Sequence, residues 1–427
     1  MFSHLMVARR FAPLFWCQFF SAFNDNFVRN MLAMLILFRL GDEHAGPLIT
    51  LAVGIFILPS IFLSGLGGEM ADAHDKAMLA RRLKFAEIFV QMIAAAGFVF
   101  GSVPLLYLAL FGLGVIAALF GPIKYGLLPE QLETSELPAG NALVEAATFI
   151  AILCGLIAGG YAASHGREPI GIVVQLMAIA LACWGASRFI PFKGPAAPGL
   201  KVHKNVLVST GTLVRELKLD VPMWRGGLAV SWFWMVGAVA LSLVPIIIRE
   251  RTGGGIDVET AISALFAIGI AIGSVAAAAA AHGTISLRPV PYAAFGMALF
   301  LLDLGLATHG LAKATGEIGL GDFFRSVSGL RIAFDVVGLA IAGGVFVVPA
   351  FSAVQARAPA DHRARVIAAV NIMNSIFMVA GSLLTAVLQS KLIGLSEPVL
   401  LALLGALNLG AGFVLIRWGY TRIQINA

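Results

Sequence analysis

The chain has 427 residues, of which 59% are hydrophobic and only 12% are charged, and its mean hydropathy is +0.92. A soluble domain carries about 25% charged residues to keep its surface hydrated, so this composition excludes a set of soluble globular domains. It predicts a polytopic membrane protein. Because each crossing of the bilayer needs about 20 apolar residues, the chain has room for about twelve spans.

The net charge of +6 does not indicate a nucleic-acid partner, because the 29 Lys and Arg residues form no basic block. Cys17, Cys154 and Cys183 lie within apolar runs without the spacing of a metal site, so neither a disulfide framework nor a zinc site is expected. The sequence also contains no nucleophile elbow, metalloprotease motif or glycine-rich phosphate loop. We therefore expect no enzyme, no cofactor and no metal centre.

Apolar windows predict twelve membrane-spanning helices in two groups of six. In chain order the first six lie at residues 11–38, 47–69, 84–101, 104–127, 139–164 and 169–190. The last six lie at residues 223–248, 259–281, 289–309, 327–352, 364–390 and 396–418. Between the groups, residues 191–222 are rich in Pro and Lys and include an amphipathic stretch near 207–219. This break predicts a cytoplasmic linker with an amphipathic helix, between an N-terminal half (1–190) and a C-terminal half (223–427).

The distribution of basic residues predicts the orientation of the chain, because Lys and Arg concentrate on the cytoplasmic side of membrane proteins. With both termini inside, 20 of the 29 Lys and Arg residues fall in inner segments and 7 in outer segments. The other two, Arg29 and Arg331, lie within spans. We therefore expect both termini in the cytoplasm.

The two groups of helices are alike where their fourth members end. Pro122 and Pro349 occupy corresponding places, and a span that carries Asn141 or Asn371 follows each of them. A parallel repeat of this kind is typical of a secondary transporter whose two halves move around one site. The repeat favours a transporter over a channel.

Three stretches carry a family resemblance. The segment Gly68-Glu-Met-Ala-Asp-Ala-His-Asp-Lys76, followed by Arg81 and Arg82, resembles the loop between spans two and three of the major facilitator superfamily. The stretches Gln-Phe-Phe-Ser-Ala-Phe-Asn-Asp-Asn at 18–26 and Phe-Gly-Pro-Ile-Lys-Tyr-Gly-Leu-Leu-Pro-Glu at 120–130 narrow the match. Together they resemble the lysophospholipid transporter family of bacterial inner membranes, in the versions fused to an acyltransferase and an acyl-carrier-protein synthetase.

The resemblance implies an all-α major facilitator fold with two pseudo-symmetric six-helix halves. It implies a flippase that moves lysophosphatidylethanolamine and related lysophospholipids from the outer to the inner leaflet of the inner membrane for re-acylation. The resemblance also implies a monomer, with sodium as the coupling ion. It implies an acyltransferase and acyl-carrier-protein synthetase as a partner or fused domain, and gating by Asp72, Lys76 and Arg81. The alternative is a proton-coupled efflux antiporter for drugs or small solutes, because such proteins share the fold and the loop.

Charged residues inside the first span mark the candidate site, because an ionisable side chain at the bilayer centre costs about 2.5 to 3.5 kcal/mol. Asp25 and Arg29 lie one turn apart, and Asn24 and Asn26 flank Asp25. We expect Asp25 to bind a coupling cation or the amine of the head group, and Arg29 to bind the phosphate. The alternative is an intrahelical ion pair that neutralises itself.

Other ionisable residues extend this site. Arg331 and Asp335 repeat the spacing in span ten, and the resemblance places spans one and ten on opposite walls of a central cavity; a salt bridge of the outward gate is the alternative. Lys124 and Glu145 lie at similar depth and are expected to receive the head group or close the inner gate, although Lys124 can also extend to the membrane interface. Glu87 is expected at the interface, paired with the loop arginines.

Two glycine pairs, Gly155-x3-Gly159 and Gly269-x3-Gly273, allow helices to approach closely. Packing explains each pair taken alone. In the fold that the resemblance implies, however, spans five and eight face each other, so the two pairs together also predict a path by which an acyl chain enters from the side.

Overall fold

The computed structural model describes residues 2–40, 42–165, 169–203 and 205–425, and within them the side chains at 37–40, 42–47, 49–50, 163–165 and 169 are not described. The chain is almost wholly helical. In order, its helices are α1 (Phe2–Val7), α2 (Ala12–Leu40), α3 (Asp42–Ala73), α4 (Lys76–Val99), α5 (Val103–Gln131), α6 (Leu137–His165), α7 (Pro169–Arg188), α8 (Val206–Leu219), α9 (Val221–Ile247), α10 (Ile256–Ala281), α11 (Pro289–His309), α12 (Leu320–Arg325), α13 (Val327–Arg357), α14 (Arg363–Gln389) and α15 (Glu397–Arg417). Two short antiparallel strands, β1 (Ile285–Ser286) and β2 (Gln424–Ile425), pair with each other. Among the basic residues used for orientation, Arg167, Lys204 and the side chain of Arg39 lie outside the described part of the chain.

Ten of the helices are long and apolar enough to cross a membrane, counted over the described residues. The prediction of an all-α membrane fold is confirmed. Two further helices of comparable length, α2 and α4, are less apolar. Helix α2 carries Asp25 and Arg29 together with three Asn residues, and α4 carries Lys84 and Glu87 among other charged residues. On length and composition, therefore, the predicted count of twelve spans is reached only if these two polar helices are included.

Capping explains why α4 begins eight residues before the predicted third span. The side chain of Asp75 accepts a hydrogen bond from the backbone N–H of Met78 at 2.9 Å. A capped N-terminus satisfies a backbone donor that is otherwise unpaired, so the helix can start in the loop. The basic residues that follow Lys76 are thus part of a helix and not of a flexible connection.

Helix α8 lies within the predicted linker and packs on α3. Its buried residues are Ser209, Leu213 and Leu217, which recur every fourth position and so form one face. The hydroxyl of Ser209 donates to the buried carboxylate of Glu69 at 2.8 Å, and the backbone N–H of His203 donates to the same carboxylate at 2.7 Å. The linker is thereby attached to the end of α3.

The chain forms two compact units, and the predicted halves at 1–190 and 223–427 stay a prediction. The first unit comprises residues 1–133, 150–224 and 355–375, and the second comprises 134–149, 225–354 and 376–427. The first unit has an apolar core that includes Phe27, Leu32, Leu106 and Leu113 from α2 and α5. The second unit contains the closely packed pair α11 and α15, where a Cβ at Gly305 would lie 2.7 Å from the backbone nitrogen of Ala402.

The two predicted glycine pairs have different partners, each within its own unit. A Cβ at Gly155 would lie 2.6 Å from the carbonyl oxygen of Phe23, so this pair packs against α2. A Cβ at Gly269 would lie 2.7 Å from the Cβ of Ala340, so the other pair packs against α13. Close helix packing accounts for both pairs, and neither requires the lateral path for an acyl chain.

Candidate functional site

The first unit contains a polar cluster built from one face of α2 and one face of α4. Ser21, Asn24 and Asp25 share a face of α2 because they lie three and four residues apart, and Lys84, Glu87 and Gln91 share a face of α4 for the same reason. These six residues are called the α2–α4 cluster below. The ammonium group of Lys84 donates to the hydroxyl of Ser21 at 2.7 Å and so joins the two faces.

A buried ion pair lies at the centre of the α2–α4 cluster. Lys84 Nζ lies 2.6 Å from Glu87 Oε2, and the two side chains are 0% and 1% exposed. The ammonium group also lies 4.1 Å from the centre of the Phe120 ring. Removing two charges from water costs several kcal/mol per ion, and only close pairing with further polar contacts offsets that cost. Lys84 is therefore held firmly in one position.

The prediction that Glu87 lies at the interface and pairs with loop arginines is wrong. The face of α4 that carries Glu87 points to α2, and Lys84 on the same face neutralises it. A signal for this arrangement was present in the sequence, because Lys84, Glu87 and Gln91 recur at intervals of three and four residues on an otherwise apolar helix face. Such a polar stripe indicates a buried partner surface.

Asp25 and Arg29 do not form the intrahelical pair offered as the alternative. The guanidinium of Arg29 donates to the side-chain oxygen of Asn26, whose own amide group donates to the carbonyl of Ala22 at 2.7 Å. Asp25 shares its face of α2 with Ser21, whose hydroxyl accepts a hydrogen bond from Lys84 of the buried ion pair. The structure thus brings Asp25 together with the buried ion pair, and it leaves Arg29 with a neutral hydrogen-bond partner.

Several polar atoms of the α2–α4 cluster have no hydrogen-bond partner among the described residues. They are both side-chain polar atoms of Asn24, both of Gln91, and Oε1 of Glu87. Asn24 and Gln91 are 0% exposed. An unpaired buried polar atom costs about 1 to 3 kcal/mol and calls for an explanation such as a bound water, ion or ligand. These unpartnered atoms make the two helix faces a candidate binding site.

In the second predicted pair, Arg331 with Asp335, the arginine has its hydrogen-bond partner on a neighbouring helix. Arg331 makes two hydrogen bonds to Asp303 of α11, with Nε donating to Oδ2 at 2.9 Å and Nη2 donating to Oδ1. A carboxylate on the neighbouring helix offers the planar guanidinium this bidentate geometry. Arg331 is half-exposed, whereas Asp335 is buried and its carboxylate oxygens accept no hydrogen bond from the described residues. Asp335 thus lies beside the ion pair of Arg331 and Asp303.

Lys124 and Glu145 belong to different units, and their pairing stays a prediction. Lys124 is partly buried, with Nζ 4.5 Å from the centre of the Tyr125 ring. Glu145 is buried, with 3% of its surface exposed.

Asp72 connects the end of α3 to the start of α14. Its carboxylate accepts hydrogen bonds from the backbone N–H groups of Ala364 and Arg365, each at 3.1 Å, and from Arg365 Nε at 3.2 Å. Lys76 lies 3.5 Å from Asp72 and 2.6 Å from Glu130 of α5. These contacts cap α14 and bind it to α3 and α5 through buried charges.

The third residue of the predicted gate has other partners. Arg81 donates to the carbonyl oxygens of Ser187 and Ile190 at 3.3 and 2.9 Å, and its guanidinium lies 4.0 Å from the centre of the Phe192 ring. Arg81 therefore satisfies the free carbonyl groups at the end of α7. The structure places Asp72 and Lys76 together at α14, and it places Arg81 elsewhere.

Comparison with known proteins adds the family and the fold. The model of the Major Facilitator Superfamily matches residues 14–382. The lysophospholipid transporter LplT of Yersinia pestis is 31% identical over 279 residues, which make up 64% of this chain and 65% of that protein. LplT of Yersinia pseudotuberculosis serotype O:3 matches with the same values. The chain thus spans about 65% of the length of the curated relatives it matches.

Solved structures agree on the fold. The human organic anion transporter MFSD10 (TETRAN) superposes with a TM-score of 0.75 at 14% identity, over 95% of this chain and 99% of its own. A bacterial homologue of the iron transporter ferroportin in an outward-facing state gives a TM-score of 0.70 at 14% identity, over 97% and 100%. The E. coli fucose:proton symporter gives 0.70 at 11% identity, over 95% and 97%. At these identities the likeness establishes the fold alone.

Proposed function

The chain belongs to the Major Facilitator Superfamily, and from that premise we propose that it is a secondary transporter of lysophospholipids. The proposed substrates are lysophosphatidylethanolamine and related lipids, moved from the outer to the inner leaflet of a bacterial inner membrane. The observation that carries the proposal is the 31% identity over 279 residues to a protein named lysophospholipid transporter. The charged cluster between otherwise apolar helices supports it, because such a lipid combines a charged head group with one acyl chain.

The proposed binding residues follow from charge complementarity. In the first unit, Arg29 binds the phosphate of the head group, because a guanidinium matches phosphate with two parallel hydrogen bonds. Its hydrogen bond to the neutral Asn26 side chain leaves its charge available for this role. Asp25 binds the amine or the coupling cation, and Asn24, with both polar atoms unpartnered among the described residues, supplies further hydrogen bonds.

Each unit also has further proposed binding residues. In the second unit they are Arg331 and Asp335 on α13 and Glu145 on α6, and in the first unit Lys124 on α5. Asp335 is the stronger candidate on α13, because it is buried, whereas Arg331 is half-exposed and already pairs with Asp303. Gating is proposed for Asp72 and Lys76, which link α3, α5 and α14, and for Arg81 through the end of α7.

Transport is proposed to end in re-acylation on the cytoplasmic side. An acyltransferase with an acyl-carrier-protein synthetase, as a separate partner or a fused domain, would restore the missing chain. We propose that both termini lie in the cytoplasm, which the distribution of basic residues among the predicted loops supports. A gradient of a cation, sodium or the proton, supplies the driving force, and the transporter works as a monomer.

Uptake of labelled lysophosphatidylethanolamine into spheroplasts that express the chain tests this function, with sodium and proton gradients imposed in turn. We expect uptake to rise with the amount of protein and to fall at least about tenfold in Asp25→Asn and Arg29→Gln, which corresponds to about 1.4 kcal/mol. Glu250→Gln is the matched control, because Glu250 is an exposed carboxylate that pairs with Lys313, and its uptake should be unchanged.

Two outcomes would contradict the proposal. Uptake that does not depend on the amount of this protein would remove the substrate assignment. Outward movement of a hydrophobic dye, driven by the proton gradient and without any uptake of lysophospholipid, would instead favour the drug or small-solute antiporter. Wild-type uptake in both site variants would leave the function standing but refute the assigned residues.

A further inference from the structure

We propose that a cavity in the second unit binds a single-chain phospholipid, with its phosphate on Arg288 and its acyl chain against α10 and α13. The cavity has a volume of about 320 Å³. Its lining comes from α6, α10, β1, α11 and α13 and from the short connections beside β1, all within the second unit. None of the lining residues is among those assigned to transport above. The proposed site therefore goes beyond the proposed function and does not depend on it.

The lining of this cavity combines an apolar wall with a few polar groups. Ala277 of α10 and Val348 of α13 belong to the apolar wall. The polar groups lie on β1 and around the start of α11, and they include Ser286, Arg288 and Tyr292. Binding sites for small molecules have this composition, with volumes of about 300 to 1,000 Å³. A cavity at the lower end of that range fits one acyl chain better than two.

Among the described residues that line the cavity, Arg288 carries the only charge. Arg288 is exposed, and its guanidinium has no acidic partner within the described part of the chain. The hydroxyl of Ser286 accepts a hydrogen bond from the backbone N–H of Arg288 at 3.4 Å, so its own O–H remains available to a ligand. A guanidinium beside a hydroxyl donor matches the oxygens of a phosphate group. Together with the apolar wall, these groups select an anion that carries an apolar chain.

The polar groups of the cavity lie at the ends of two candidate membrane spans. The span of α10 ends at Ala281 and that of α11 begins at Pro289, with β1 between them. Arg288 and Tyr292 are four residues apart, so they lie on one side of the start of α11, and Tyr292 is 65% exposed. Basic and tyrosine side chains at such a position lie at the level of the lipid head groups. Val348 lies nine residues before the end of α13, about 14 Å along the helix, so the apolar wall continues into the membrane.

The C-terminal segment holds the polar side of the cavity in place. Strand β1 pairs with β2, and the backbone N–H of Leu287 donates to the carbonyl oxygen of Ile423 at 3.1 Å. The side-chain amide of Gln424 donates to Thr284 Oγ1 at 3.4 Å. A fixed binding surface lowers the entropic cost of binding, because the ligand has fewer groups to order. The phosphate-binding groups are therefore positioned before the lipid binds.

Photo-crosslinking tests this site in phosphatidylcholine nanodiscs that contain the full chain. The probe is lysophosphatidylethanolamine with a diazirine at the end of its acyl chain, and mass spectrometry of the digested protein locates the crosslinks. In the wild type we expect crosslinks in the peptides that contain Ala277 and Val348. Because the two-chain phosphatidylcholine is present in large excess, crosslinking in these nanodiscs shows that it does not displace the probe.

Two variants change the site in different ways, and each has a matched control. Arg288→Gln removes the charge and should lower the crosslinking yield at least about tenfold, because a charge-assisted hydrogen bond is lost. Arg417→Gln should leave the yield unchanged, since Arg417 is an exposed arginine at the end of α15 outside the lining. Ala277→Leu fills the cavity and should also lower the yield, whereas Ala276→Leu, at an exposed position outside the lining, should not. Arg288 is exposed and makes no ion pair with the described residues, so its replacement keeps the fold intact even if the cavity-filling variant unfolds.

Three outcomes would overturn the proposal. Equal yields in Arg288→Gln and Arg417→Gln would show that the guanidinium does not bind the lipid. Equal labelling by a monoacylglycerol with the same diazirine chain would show that the phosphate is not recognised, and equal labelling by a two-chain diazirine phosphatidylethanolamine would show no preference for one chain. Lysophospholipid uptake is measured separately: absent uptake in a wild type that crosslinks as expected refutes the proposed function alone, and normal uptake without these crosslinks refutes the site alone.

Discussion

The contact between Asp72 and the first turn of α14 gives a prediction whose size can be worked out. Its carboxylate accepts three hydrogen bonds from Ala364 and Arg365, at 3.1 to 3.2 Å, in a fully buried position. A hydrogen bond to a charged group contributes about 1.5 to 3 kcal/mol. Asp72→Asn keeps the size of the side chain, but the amide has one acceptor oxygen and no charge. The contact with α14 should therefore lose about 3 kcal/mol of stabilisation. This corresponds to a shift of roughly 150-fold in the equilibrium from the closed to the open contact.

Thiol accessibility at Ala364 measures this change. Ala364 is 0% exposed, so a cysteine placed there should react with a water-soluble maleimide only when the contact opens. The three native cysteines are first replaced by alanine. In that background, Asp72→Asn should raise the labelling rate of Ala364→Cys by roughly two orders of magnitude.

Asp75→Asn is the matched control for this experiment. Asp75 lies three residues after Asp72 and also caps a helix, but it accepts hydrogen bonds from the backbone of Met78 in α4 and from the backbone of Lys193 and Gly194. Its replacement should cost about 1 kcal/mol of capping energy and leave labelling at Ala364 unchanged. Equal labelling in Asp72→Asn and the parent protein, or an equal increase in both variants, would refute the reasoning that Asp72 holds α14 closed.

Three further predictions concern stability. Gly273→Ala places a Cβ against a backbone carbonyl of α13, so it should lower the free energy of unfolding by about 1 to 3 kcal/mol and lower the melting temperature. Gly310→Ala is the control, because a Cβ there meets open space and should leave the melting temperature unchanged. Equal melting temperatures of the two variants would refute the packing argument. Lys84→Gln alone should lower the free energy of unfolding by about 3 to 5 kcal/mol, because it leaves a buried carboxylate without its partner. Lys84→Gln/Glu87→Gln should lower it much less, because both charges are removed. Thermal unfolding that ranks the two variants in the opposite order would show that the pair is not electrostatically coupled. Burial raises the pKa of Tyr420 above its ordinary value of 10, so the unfolded chain ionises first and the folded state loses stability as the pH rises through 10. Tyr420→Phe should therefore show a shallower decline of melting temperature from pH 9 to 11. An unchanged slope would contradict this prediction.

The sequence alone determined the class of fold and the family. A chain that is 59% hydrophobic and 12% charged cannot cover soluble domains with polar surface, and twenty-residue apolar runs in lipid must pair their backbone groups internally, which makes them helices. The loop from Gly68 to Lys76 resembled the major facilitator superfamily, and the family match over residues 14–382 confirms it. Asp25 is unusual within this pattern, because a charge within a span is costly.

The partners of the charged side chains were decided only by the tertiary structure. Arg331 pairs with Asp303, which lies 28 residues away on α11, and not with Asp335 one turn along its own helix. Glu87 is buried because its face of α4 turns to α2. Helical spacing shows which residues share a face, but in a membrane both the lipid-facing and the core-facing sides of a helix are apolar. The pattern of hydrophobicity therefore does not show which neighbouring helix each face meets. The packing of the helices determines which charged side chains come together in the candidate site.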